Sequence, residues 1–188
     1  MDNKLLVVLS YIRAQYAAAT KRTDETINQL LDYSATYPVN GILYHSIDMV
    51  LCAHSDAVFH NKTKGHIRAG AHIFLSKKYL MPRWNGPVLT LDQIIKFVMS
   101  SASESELGEP FITSQEMAEV RNTLKEMRQS QKKSPIQKYN SAAAGVVNNT
   151  ILPRKLKTMD HHLHWLRCRE AQCQFRYYWA RGSLNWGG

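Results

Sequence analysis

Apolar positions recur at helical spacing from the start of the chain. Leu5, Val8, Leu9 and Ile12 share one side of a helix predicted over Leu5 to Tyr16. A polar break at Thr20 to Thr23 follows, then a second helix from Asp24 to about Thr36, with Ile27, Leu30, Leu31 and Ala35 as its apolar stripe. Asp24 and Glu25 suit its positive N-terminal end, and Pro38 stops it. After Asn40-Gly41, a hairpin-type turn pair, the pattern becomes strand-like. Ile42 to His45 and Met49 to His54 read as neighbouring strands. The second runs into Asp56, placed at the strand's exit ahead of a polar turn region, Asn61 to Gly65. A carboxylate there is either a turn cap or a group held on a rigid strand as metal ligand or general base.

Arg68 to Ser76 reads as another strand, with Gly70 allowing a close neighbour. Lys77 to Asn85 is a loop with Trp84 as a packing residue, and Val88 to Met99 is a strand pair or one bent strand. The small and acidic run Ser100 to Leu107 marks a helix N-terminus. Pro110 costs about 3 kcal/mol in a helix interior, so it predicts a kink there or a later start. Glu116 to Arg128 follows as a helix with Met117, Val120, Leu124 and Met127 on one face. The remainder reads as a linker (Gln129 to Ser134), a strand (Pro135 to Tyr139), a short helix (Ser141 to Val147) and a basic loop (Leu152 to Thr158). A helix (Asp160 to Gln172), a strand (Gln174 to Trp179) and a glycine-bearing tail close the chain.

Length changes this picture little: 188 residues, 44% of them apolar, make one domain, or one domain with an appendage. Charge changes it more. Residues 1–120 carry 11 basic and 12 acidic side chains; the last 68 carry 13 and 3. All of the +9 excess therefore lies in the C-terminal part, which suits a polyanionic partner such as nucleic acid. Three cysteines are too few for a disulfide framework and point to an intracellular location, cytoplasmic or nuclear, not a secreted one. Asp2 and Arg13 interrupt the one stretch that faintly resembles a leader, and no apolar run predicts a membrane span.

Three chemistries compete. His161, His164 and Cys168 recur on one helix face, with Cys173 five residues on, which are zinc-type ligands without paired-ligand spacing. Arg154, Lys155, Lys157, Arg167, Arg169, Arg176 and Arg181, interleaved with Tyr177, Tyr178 and Trp179, suit phosphate contacts and base stacking. Asp56 with Glu104 or Glu106 makes a carboxylate pair for Mg²⁺, short of the several oxygens that two-metal catalysis requires.

Several ordered blocks bear on this choice: His54-Ser55-Asp56-Ala57, Arg68-Ala69-Gly70, Met99 to Glu106, Tyr139-Asn140-Ser141 to Gly145, Lys157 to Asp160, and Gly182 to Gly188. Together they resemble the RNase H-like domain at the C-terminus of copia-type retrotransposon polyproteins. The resemblance implies an α/β fold, a mixed five-stranded sheet with flanking helices. It places a helical connection segment at residues 1–40 and the domain at 41–188, ending before the family's closing helix. It also implies Mg²⁺-dependent cleavage of RNA in an RNA–DNA hybrid, with Asp56 and Glu106 as catalytic and metal-binding acids and Glu104 beside them. The family's third and fourth acids fall on Tyr139 and Gly188, neither of which supplies an anionic oxygen. Weak or absent Mg²⁺ binding and crippled catalysis are therefore expected. The alternative is a non-catalytic nucleic-acid-binding module that uses the basic C-terminal half.

Overall fold

A computed structural model describes residues 4–39, 41–59, 67–77, 85–96, 102–151 and 160–180. The chain divides into two compact units, Met1–Tyr44 and His45–Gly188. The first holds helix α1 (Lys4–Ala14), a single 3₁₀ turn (Tyr16–Ala18) and helix α2 (Lys21–Thr36). The polar stretch predicted as a break is the start of α2. Thr20 donates its backbone N–H to Thr23 Oγ1 (3.1 Å), and the buried Thr23 hydroxyl donates to Gln15 (2.7 Å). Threonine hydroxyls here satisfy the end of the helix, as capping residues do.

The second unit is built on a five-stranded sheet of order β3-β2-β1-β4-β5. Strands β1 (Val50–Phe59), β2 (Ile67–Ser76) and β3 (Pro87–Ile94) form an antiparallel meander. Strand β4 (Ser134–Lys138) then joins the free edge of β1 in parallel, and β5 (Phe175–Trp179) pairs parallel to β4. Helix α3 (Ala102–Glu126) makes the crossover from β3 to β4; α4 (Ser141–Val147) and α5 (Asp160–Ala171) make the one from β4 to β5. The mixed sheet with flanking helices is the α/β architecture expected.

Strand alternation sorts the core. Leu51 and Ala53 share a face with Ile73 of β2, Ile136 of β4 and Tyr177 of β5, because paired residues point the same way. Leu107, Met117 and Leu124 of α3, Ala144 and Val147 of α4, and Leu163 and Leu166 of α5 cover that face. The opposite face carries a smaller cluster of Val50, Cys52 and Phe74. Burial pushes the Cys52 thiol up to about 12.

Several expectations are corrected. Residues 41–49 form no strand; the His45 backbone N–H donates to Asn85 Oδ1 (2.7 Å), and Asn85 Nδ2 donates to His45 O (3.3 Å), so a side chain substitutes for a partner strand. Asp56 lies within β1, opposite Gly70, not at its exit. Gly70 needs no special space, since a Cβ there would meet the Asp56 carbonyl oxygen at an ordinary 3.7 Å. The segment 87–94 is one strand; 97–99, the turn 61–65 and most of the Trp84 loop lie outside the described residues. Pro110 does not delay α3, which starts at Ala102 and runs through it. Met127 is 60% exposed because α3 ends at Glu126 and Arg128 turns left-handed (φ 61°).

His54 and His72 face each other across β1 and β2, and His54 stacks on Phe74 with ring centroids 5.4 Å apart. Burial, helped by the neighbouring His72, lowers His54 from 6.5 to about 4. Burial lowers His72 as well, against the raising effect of its bond to the Asn85 carbonyl (3.0 Å). The unfolded chain therefore binds more protons between pH 6.5 and 4, and stability falls as pH drops through that window. Urea denaturation at pH 7 and pH 4.5 should show a loss of up to roughly 3 kcal/mol, and His54→Phe should flatten that dependence.

Candidate functional site

Parallel pairing of β1 with β4 sets the site. The register aligns Ser55 with Lys138, so Asp56 and Tyr139 are the next residues along two neighbouring strands. Asp56 is half-buried and its Oδ1 accepts the backbone N–H of Ala57 (2.9 Å). Glu106, half-buried in α3, comes from the layer covering the sheet. Burial raises the Glu106 carboxyl above the ordinary carboxylate range; the Asp56 and Glu109 charges add to this, while Lys138 and a hydrogen bond from the Asn140 side chain oppose it. Burial and the charge of Asp56 likewise raise the Tyr139 phenol, so it is neutral at physiological pH. Asn140 works twice: its Oδ1 caps α4 by accepting the Ala143 N–H (3.1 Å), and its side chain bonds Glu106.

Beneath these residues lies a sealed ion pair. Lys138 Nζ donates to Glu109 Oε2, with side-chain exposures of 1% and 0%. Thr113 donates to the other carboxylate oxygen of Glu109 (2.7 Å), and Lys138 also donates to the Glu106 carbonyl (3.1 Å). Next to them the Tyr177 and Ser114 hydroxyls bond each other.

No protein-family model matches the sequence, and no curated protein matches it. Among solved structures the chain is similar to LC11-RNase H1, isolated from compost by a metagenomic approach, with TM-score 0.54 and 7% identity over 72% of this chain and 87% of that one. The same protein in complex with RNA/DNA hybrid gives TM-score 0.54 and 7% identity over 72% and 88%. The fold is RNase H-like. At that identity the likeness speaks for architecture, and the chemistry must come from the residues described above.

In this RNase H-like domain the Asp56 charge lies near enough to Glu106 to push its carboxyl upward. The third expected acid is the neutral Tyr139 phenol. Among the described residues, no group of three or more His, Cys, Asp or Glu side chains is placed to hold a metal ion. Two carboxylates and a phenol do not fit a two-ion Mg²⁺ centre, which needs more anionic oxygens than this set provides. Glu104 lies in the first turn of α3, its side chain outside the description, and Gly188 lies outside the described residues altogether.

The basic residues have internal partners where they are described. Arg167 donates twice to the Val146 carbonyl (3.1 and 3.0 Å), at the end of α4. Arg169 bonds Gln174 (3.3 Å) and lies 4.8 Å over the Trp165 ring. Arg176 pairs with Glu170 (2.9 Å), which also takes Lys133 (3.0 Å). Burial alone would raise the Glu170 carboxyl, but these two cations outweigh it and hold it low. Arg154, Lys155, Lys157 and Arg181 lie outside the described residues. Of the zinc-type group, His164 Nδ1 approaches Cys168 Sγ (3.6 Å), while Cys173 lies beyond α5 on a left-handed residue (φ 57°).

Sequence reasoning missed Lys138 and Glu109. Their signal was a lysine in step with Ile136 on an inward-facing strand position, and a glutamate among Leu107, Phe111 and Ile112. Lys138→Met should cost about 3–5 kcal/mol, because it leaves the Glu109 charge buried and unpaired; Lys138→Met with Glu109→Leu should recover most of that. Urea melts of the two variants check this. Carboxyl NMR should show the Glu106 midpoint moving down in Asp56→Asn, since removing a neighbouring negative charge relieves its upward shift.

Proposed function

We propose that this is a retroelement-derived RNase H-like domain of copia type that engages RNA–DNA hybrid and cleaves it feebly or not at all. The observation that carries this reading is the neutral Tyr139 phenol set against the Asp56–Glu106 pair. It stands where the resembled family carries an acid. An in-line displacement assisted by two cations needs that acid to hold one of them, and a phenol with a raised pKa offers a proton instead of a charge. Asp56 and Glu106 still provide oxygens for a single, weakly held Mg²⁺.

Support for hybrid as the partner comes from the charge distribution and from the fold. The last 68 residues carry the whole basic excess, and the similar LC11-RNase H1 has been seen in complex with RNA/DNA hybrid. No helix among the described residues is long and apolar enough to cross a membrane. The proposed setting is intracellular, where such hybrids arise. A purely binding role, without any cleavage, is the second reading, favoured by the same basic half.

Cleavage of a labelled hybrid with Mg²⁺ or Mn²⁺ separates these readings. The unmodified chain should be silent or slow, and Tyr139→Asp with Gly188→Asp should raise the rate. Robust cleavage by the unmodified chain that disappears in Asp56→Asn would overturn the crippled-enzyme reading. The logarithm of hybrid affinity should fall linearly with the logarithm of salt concentration as phosphate contacts release counterions; a flat response would sink binding as well.

A further inference from the structure

Pro110 sits inside α3 and has no N–H to donate. The acceptor it leaves without a helical donor is the carbonyl of Glu106, four residues earlier. Lys138, at the end of β4, donates to that oxygen from 3.1 Å. The same ammonium also donates to the Glu109 carboxylate, away from water. Two of its three protons thus go to one turn of α3. The Glu106 carboxylate meanwhile accepts from Asn140, two residues beyond Lys138. Glu106 is therefore held at both ends, its backbone by Lys138 and its side chain by Asn140.

We propose that Pro110 and Lys138 form a matched pair that positions Glu106, the proline opening a carbonyl in α3 and the lysine closing it from β4. The proposal rests on the reading of Asp56 and Glu106 as the site, and it concerns how the fold holds that site. Each partner explains the other. A proline in mid-helix leaves an acceptor without its donor, and a polar group left so is costly in a protein interior. A buried ammonium needs acceptors beyond a single carboxylate, and the freed carbonyl is one. If Lys138 served only to neutralise Glu109, the residue at 110 would be irrelevant to Glu106.

That difference is measurable by NMR on the labelled full chain, without nucleic acid. The readout is the contact between the Asn140 side-chain amide protons and the Glu106 side chain. In Lys138→Met with Glu109→Leu, which leaves no buried charge, the contact should lose most of its intensity while the amide spectrum stays dispersed. Adding Pro110→Ala restores an amide that can bond the Glu106 carbonyl, and the contact should return. Persistence of the contact in the double variant, or failure to regain it in the triple, overturns the proposal. Pro110→Ala alone covers the case in which the double variant does not fold. The new amide competes for the carbonyl, so the Lys138 ¹⁵Nζ resonance should move and its protons exchange faster; an unchanged resonance overturns the proposal. Hybrid binding is scored separately, so its absence would remove the functional reading and leave this result standing.

Discussion

An ammonium and a carboxylate shut away from water hold the crossover helix to the sheet. Removing two charges from water costs several kcal/mol each unless their mutual attraction and further hydrogen bonds offset it. Here Thr113 and the Glu106 carbonyl supply those further bonds. The pair is therefore specific to one docking of α3 on β4. A helix slid by one turn would carry the Glu109 carboxylate away from Lys138, so the pair sets register as well as contact. Everything at the site depends on that register, because Glu106 comes from α3 while Asp56 and Tyr139 come from the strands.

The parallel seam between β1 and β4 does the rest. It brings Asp56 and Tyr139 to neighbouring strands at one end of the sheet, and Asn140 begins α4 at the same place. The site is thus a junction of four elements, each contributing one polar side chain. Substituting a phenol at such a junction alters its charge but not its architecture.

The fold was legible where one face of an element alone meets the core. Strand β5 alternates and α4 has a polar start and an alanine-rich body, so their positions followed from the pattern, while β1, buried on both faces, read as a short apolar run. The failures have specific causes. Pro110 looked disruptive because propensity takes no account of a lysine 28 positions later in the chain that accepts its consequence. Thr20 to Thr23 looked like a break because cap and loop residues are the same residue types. The C-termini of α3, α4 and α5 lacked a glycine signal, since Arg128, Asn149 and Cys173 take up the left-handed conformation that glycine usually fills. At the site, Asp56 and Glu106 were legible through a resemblance. The Lys138–Glu109 pair was not, because charged residues are read as solvated until a structure shows them enclosed. The arginines of α5 and β5 were legible as a basic cluster, but not the internal bonds of Arg167, Arg169 and Arg176.

The split between meander and seam has a consequence for how the domain assembles. Strands β1 to β3 pair with sequence neighbours, so their contacts close short loops and form at small entropic cost. Strand β4 joins β1 only after the chain has passed through β2, β3 and the 25 residues of α3. Non-local pairings of this kind are the slow steps of folding. Asp56 belongs to the early hairpin and Tyr139 to the late strand, so the two meet only when the seam closes. The site is then a reporter of completed folding: a chain stalled with its meander formed would display most of its secondary structure and none of its polar junction.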